Sequence, residues 1–176
     1  EMILTEGLLA NPGINAVQKA RILDMETGHG AIYLLDIPVR FEFEQAIYEE
    51  RLQAELSSSR FGELMAAAQR RVFGEVLEEG SEDPHFWASK MHFYFTGVMF
   101  YNFPYTFGFL LSRGLFAMFK QEGADFLPRY EEFLRLTGSD TPENIARQTI
   151  GCDLESPEFW SEAIMSLEES LDHLEQ

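Results

Sequence analysis

The chain predicts an all-α fold, a multi-helix bundle in a single domain over residues 1–176. Three observations carry this expectation. No period-2 run of apolar residues is long enough for a strand, several segments space apolar residues at helical intervals, and three pairs, Asp83-Pro84, Thr141-Pro142 and Ser156-Pro157, join a capping residue to a proline suited to a first helical turn. With 45% hydrophobic residues, the 176-residue chain can bury one sizeable core. It carries no internal repeat or low-complexity tract.

The opening EMILTEGLLA reads as an amphipathic helix already under way, with Leu4, Leu8 and Leu9 on one stripe. Lacking an initiator methionine, it suggests excision from something longer. After the Asn11-Pro12-Gly13 breaker, helical spacing runs from Ile14 through Val17, Ala20 and Leu23 towards Leu35. Gly28 and Gly30 each cost about 1 kcal/mol relative to Ala inside a helix, so close approach of another backbone is expected there. Pro38 removes an N–H and disfavours the helical region for Ile37, which predicts a kink or break before helix resumes through Phe41 to Leu52.

Ser57-Ser58-Ser59 offers caps for a helix whose apolar stripe is Phe61, Leu64, Met65, Ala68 and Val72. Each of the three proline pairs should open a helix. Asn102 is expected to cap a further helix from Phe103 past Leu110 and Phe116 to about Lys120, with Pro104 in its first turn and Gly123 ending it. The last segment repeats Trp160, Ala163, Ile164, Leu167, Leu171 and Leu174 as a seam, with Glu158, Glu162, Glu168, Glu169 and Asp172 on the wet side.

A net charge of −17 opposes phosphate-backbone and anionic-lipid binding, so neither nucleic acid nor a membrane surface is an expected partner. The acidic runs Glu75 to Asp83 and Asp153 to Gln176 read as solvated faces. Cys152 is the single cysteine, which excludes an internal disulfide and favours a reducing compartment, the cytoplasm. No basic leader or cleavage pattern is present. From Met91 to Ser112 no charged residue occurs, yet Asn102, Pro104, two threonines and several tyrosines argue against a membrane span.

Catalytic zinc wants three protein ligands, often two His at i and i+4, and His29, His85, His92 and His173 contain no such pair. Cys152 follows Gly151 in an acidic neighbourhood that raises a thiol pKa, so it reads as inert. No G-x-S-x-G elbow, P-loop or G-x-G-x-x-G fingerprint exists. What remains is MHFYFTGVMFYNFPYTFGF from Met91 to Phe109, where His92, Tyr101 and Tyr105 are hydrogen-bond donors in an apolar wall. Converging on a water-excluded cleft, they would stabilise a developing oxyanion; pinned to nearby carbonyls, they would be internal ties.

The strings His92-Phe93-Tyr94 and Phe100-Tyr101-Asn102-Phe103-Pro104-Tyr105-Thr106-Phe107-Gly108 resemble the C-terminal active-site segment of oligoendopeptidase F, a zinc peptidase family of the thimet oligopeptidase superfamily. The resemblance extends to residues 32–38 (IYLLDIP), 40–44 (RFEFE), Gln69-Arg70, Phe73-Gly74 and 86–90 (FWASK). It implies the C-terminal part of a zincin-like helical channel that admits oligopeptides, with zinc held in the full-length enzyme by an H-E-x-x-H segment absent here. The chain alone is then expected to hold no metal and to be inactive, its partner being the N-terminal remainder of the same enzyme. By motif position Tyr101 would stabilise the oxyanion, His92 would contact the substrate backbone or support the zinc site, Tyr105 would position the peptide, and Gly97 would let the loop close. Glu1 would be a Glu that supports the zinc site. Exposed channel wall would favour self-association of the piece. The alternative is a non-catalytic helical module that binds an apolar ligand or a protein in an aromatic groove.

Overall fold

The computed structural model describes residues 2–175, with the backbone alone at 169, 170 and 172–175. Glu1 and the side chains of Leu174, Glu169, Asp172 and His173 therefore lie outside the described residues. The fold is all-α: α1 (Met2–Leu9), α2 (Ala16–Ala31), α3 (Ile37–Arg51), α4 (Ser58–Phe73), α5 (Phe103–Glu122), α6 (Leu127–Leu136), α7 (Pro142–Thr149) and α8 (Pro157–Glu175), with no strand among the described residues. Their contacts gather into two compact units, Glu1–Gly28 with Gly108–Gln176 and His29–Phe107. That grouping describes packing and leaves the one-domain expectation as it stands.

Local chemistry explains most boundaries. Asn15 and Gln18 form a reciprocal capping box at the start of α2: the Gln18 amide donates to Asn15 Oδ1 at 3.0 Å and the Asn15 amide to Gln18 Oε1 at 3.0 Å. Ser57 Oγ accepts from the Arg60 amide at 3.2 Å and Thr141 Oγ1 from the Asn144 amide at 3.4 Å, so both caps stand where the sequence places them. Gly123, at φ +64°, follows α5. Pro38 neither breaks nor frays its helix. A π-helical turn over Ile32–Asp36 joins α2 to α3, and the Ile37 amide reaches back five residues to the Ile32 carbonyl. The wider turn absorbs the register change that the missing Pro38 N–H imposes.

Several sequence expectations are corrected. Asp83-Pro84 opens only a 3₁₀ turn, Phe86–Ser89, because long-range contacts fasten it flat on α4. Gln69 grips the Asp83 backbone from both sides, donating to its carbonyl at 2.8 Å and accepting from its amide at 2.9 Å. Gly62 lets Pro84 come close, since a Cβ there would stand 3.3 Å from Pro84 Cβ. Gly28 has no packing reason, for a Cβ built on it meets nothing within 4 Å; Gly30 is buried. In α1 the Leu4 and Leu8 stripe is exposed, and Met2, Thr5 and Leu9 are the half-buried positions. In α8 the seam is Phe159, Ala163 and Leu167, while Ile164 faces solvent. Glu158, Glu162 and Glu168 are exposed, as the wet-side pattern requires.

Within His29–Phe107, Val39, Phe43 and Ile47 of α3 pack on Leu64, Met65 and Ala68 of α4, with Phe61, Trp87 and Phe93 closing the edges. Phe43 and Met65 are fully buried, and each such side chain contributes roughly 1.5–3 kcal/mol. Within the other unit, α5 meets α8 at Gly114, where an added Cβ would lie 2.3 Å from the ring tip of buried Phe159. The ring lies directly over the glycine. Gly114→Ala should therefore destabilise the protein by about 1–3 kcal/mol despite its gain in helix propensity, read as a lowered melting temperature. A Tm at or above that of the parent would contradict the packing.

Candidate functional site

The aromatic segment is built on two short 3₁₀ turns, Phe86–Ser89 and Met91–Tyr94, followed by a loop that reaches α5 at Phe103. No continuous helix aligns His85 with His92. Gly97 sits in the loop at φ +83°, a backbone region that L residues seldom adopt. It is exposed, and a Cβ there would touch nothing within 4 Å.

His92, Tyr101 and Tyr105 come together. The His92 and Tyr101 rings stack at 4.9 Å and 14°, Phe95 meets both edge-on, and the Tyr101 and Tyr105 rings lie 5.8 Å apart. The Tyr105 hydroxyl donates to the Tyr101 hydroxyl at 3.1 Å. Among the described residues neither phenol is tied to a main-chain oxygen, and the two residues are 38% and 45% exposed, which leaves the Tyr101 proton able to donate outward. Tyr94 differs, because its hydroxyl is spent on the Ala88 carbonyl at 3.3 Å.

The hydrogen bond to Tyr101, and secondly the negative charge Tyr101 would carry as a phenolate, push the Tyr105 phenol above its ordinary range. Polarisation along such a chain also strengthens the outer donor. His92 Nδ1 is buried without a partner. A proton there would be a buried donor with no acceptor, which favours Nε2 as the protonated nitrogen whenever the ring is neutral.

Helix α3 holds the loop through residues that the sequence left unassigned. Asp36, Arg40, Glu44 and Tyr48 follow one another at intervals of four, which places them on one face. Arg40 pairs with Asp36 and donates through Nη1 to Asn102 Oδ1 at 3.2 Å. Asn102, 2% exposed, thus stands at the predicted helix boundary but turns its side-chain oxygen to Arg40. Glu44, 6% exposed, accepts the Phe100 amide at 2.7 Å. Phe100 has φ +53°, the single described non-glycine residue at positive φ. Its ring packs against Phe41 and Tyr48 at 5.4 Å from each. Burial first, then the Glu44 carboxylate, raises the Tyr48 phenol pKa. The usable sequence signal was a row of polar residues at i+4 spacing beside the apolar row Val39, Phe43, Ile47.

Other features are quieter. Cys152 is half-buried with its thiol pushed up by burial first and by Glu162 next, consistent with an inert thiol. No three His, Cys, Asp or Glu side chains converge on a metal-sized site among the described residues. No helix among them is long and apolar enough to cross a membrane. A groove of about 1190 Å³ belongs to the other unit, lined by Met2, Leu9, Lys19, Arg113 and Phe116 among others, and not by the aromatic segment.

Two curated proteins match the chain. It is 26% identical over 136 residues to oligopeptidase PepF of Bacillus subtilis, a match covering 77% of this chain and 20% of that protein. It is 27% identical over 135 residues to group B oligopeptidase PepB of Streptococcus agalactiae, covering 76% of this chain and 22% of that protein. The likeness supports a relation to the oligoendopeptidase family. The chain spans about a fifth of the length of these relatives. No family model and no solved structure matches it.

The phenol pair makes a direct prediction. Because Tyr105 gains its raised pKa first from Tyr101, Tyr101→Phe should bring the Tyr105 titration down towards that of free tyrosine. The sign follows from linkage: a phenol with a raised folded pKa adds stability below the unfolded tyrosine pKa, and the increment is lost as pH climbs through the folded value. The NMR shift of the Tyr105 ring carbon bearing the hydroxyl, followed through an alkaline titration, reads it, and an unchanged Tyr105 midpoint in Tyr101→Phe would refute the coupling.

Proposed function

We propose that this chain supplies the substrate-facing hydrogen-bond donors of an oligopeptide-cleaving zinc peptidase. The observation that carries this reading is the Tyr101–Tyr105 pair, whose hydroxyls bond to each other at 3.1 Å and not to the main chain. The relation to two oligopeptidases supplies the class of substrate.

In this reading the described residues do not fit a zinc site, since no ligand cluster forms among them. The metal and its ligands belong, in this reading, to the N-terminal remainder of the same enzyme. Tyr101 donates its hydroxyl hydrogen to the oxyanion that forms when a water, giving its proton to a base of the N-terminal remainder, adds to a peptide carbonyl. A neutral donor aimed at developing charge is worth most where water is excluded. Tyr105, donating to Tyr101, sharpens that donor and orients the peptide. His92, stacked beneath Tyr101, offers Nε2–H to the substrate backbone. Gly97 lets the loop adopt the closed form, since its positive φ imposes no strain on glycine.

Two assays decide the matter. In the full-length enzyme Tyr101→Phe should lower kcat on the order of 100- to 1,000-fold with little change in KM, the cost of one oxyanion donor. The isolated chain should neither hydrolyse a peptide nor bind stoichiometric zinc. Hydrolysis by the isolated chain, or an unchanged kcat in the variant, would overturn the division of labour.

A further inference from the structure

We propose that Glu44 and Arg40 are positioning residues that fix the direction of the Tyr101 hydroxyl by gripping the backbone on either side of it. The inference rests on the proposed role of Tyr101 for its catalytic consequence, but its structural content stands apart from that role. Tyr101 is flanked by Phe100 and Asn102, and both are held from α3. On one side the buried Glu44 carboxylate accepts the Phe100 amide at 2.7 Å. On the other, Arg40, itself anchored by Asp36, donates to the side chain of buried Asn102 at 3.2 Å.

The backbone between these points is not one that the sequence would choose unaided. Phe100 at φ +53° is strained, and nothing local, neither Gly nor Asn, relieves it. The strain persists only where surrounding contacts over-determine it. Here the carboxylate acceptor and the flanking rings of Phe41 and Tyr48 do so. Released, Phe100 would return to negative φ and swing the next residue, moving the Tyr101 ring off His92 and its hydroxyl away from Tyr105.

The stack at 4.9 Å and 14° gives a direct readout, because the Tyr101 ring shifts the His92 ring protons upfield in an NMR spectrum. In Glu44→Ala those protons should lose most of that shift. Glu44→Gln, which keeps a carbonyl oxygen for the Phe100 amide, should retain it. Asn102→Ala, which removes the other grip, should also lose much of it, and decides the matter if Glu44→Ala does not fold. Leu64→Ala, a core truncation in α4, should lower the Tm and leave the His92 shift in place. Unchanged shifts in Glu44→Ala and Asn102→Ala, or equal loss in Leu64→Ala, would overturn the proposal.

In the full-length peptidase, Glu44→Ala should reduce kcat with KM little altered, on the order of 100-fold if the hydroxyl moves by about 1 Å, and Glu44→Gln should restore most of it. Moved NMR shifts with an unaltered kcat would support the grip and overturn instead the catalytic role given to Tyr101.

Discussion

The hydrogen bond from the Phe100 amide to the buried Glu44 carboxylate is the interaction on which the arrangement of the aromatic segment turns. Magnitudes show why. A non-glycine residue at positive φ costs roughly 1–3 kcal/mol, and a hydrogen bond to a charged group returns about 1.5–3 kcal/mol. The two nearly offset each other. The strained turn therefore has little margin of its own and persists because ring packing by Phe41 and Tyr48 adds to the carboxylate's hold. Burying Glu44 is tolerated for the same reason, since its charge is met by a short, well-placed donor.

Helix α3 can do this because it carries two rows at the same spacing. Val39, Phe43 and Ile47 form its core row against α4, while Arg40, Glu44 and Tyr48, continued by Asp36 of the preceding π turn, form the row that meets the loop. The rows are rigidly related. A helix turns about 100° per residue, so inserting or deleting one residue upstream would redirect both. The π turn over Ile32–Asp36 is such an adjustment, placed where Pro38 would otherwise collide with the carbonyl of Leu34. Pro38 thus acts less as a breaker than as the reason for a local change of pitch.

How much of this was legible follows from the range of each interaction. The all-α class, the Ser57 and Thr141 caps and the α4 stripe depend on neighbours within one or two turns, and pattern alone exposes them. The Asn15–Gln18 capping box is equally local, an N-cap paired with the residue three positions on. Asp83-Pro84 failed for the opposite reason: its fate is set by Gln69 and Gly62, and no local propensity competes with a side chain that satisfies both backbone groups of Asp83. The site divides in the same way. Dense Tyr and Phe marked the segment, but which phenol is spent, Tyr94, and which are open, Tyr101 and Tyr105, depends on partners that only the fold brings near. Glu44 and Arg40 looked like ordinary helix charges because their loop partners lie 56 and 62 residues away.

The charge of the molecule bears on the chemistry proposed for it. A net −17 sets up a field that disfavours bringing in or creating an anion, yet the proposed role asks for stabilisation of an oxyanion. Range reconciles the two. Exposed charges are screened over about 8 Å in physiological salt, whereas a hydrogen bond acts at about 3 Å and gains strength where water is scarce. The segment from Met91 to Ser112 contains no Asp or Glu, so the phenols keep sequence-local carboxylates at a distance, and Glu44 spends its charge on the Phe100 amide. Neutral donors suit such a protein better than a lysine would. A cation in this acidic chain would be drawn to neighbouring carboxylates, as Lys120 is to Glu6 and Arg113 to Glu26, while a phenol donating to an incoming anion has no comparable competitor.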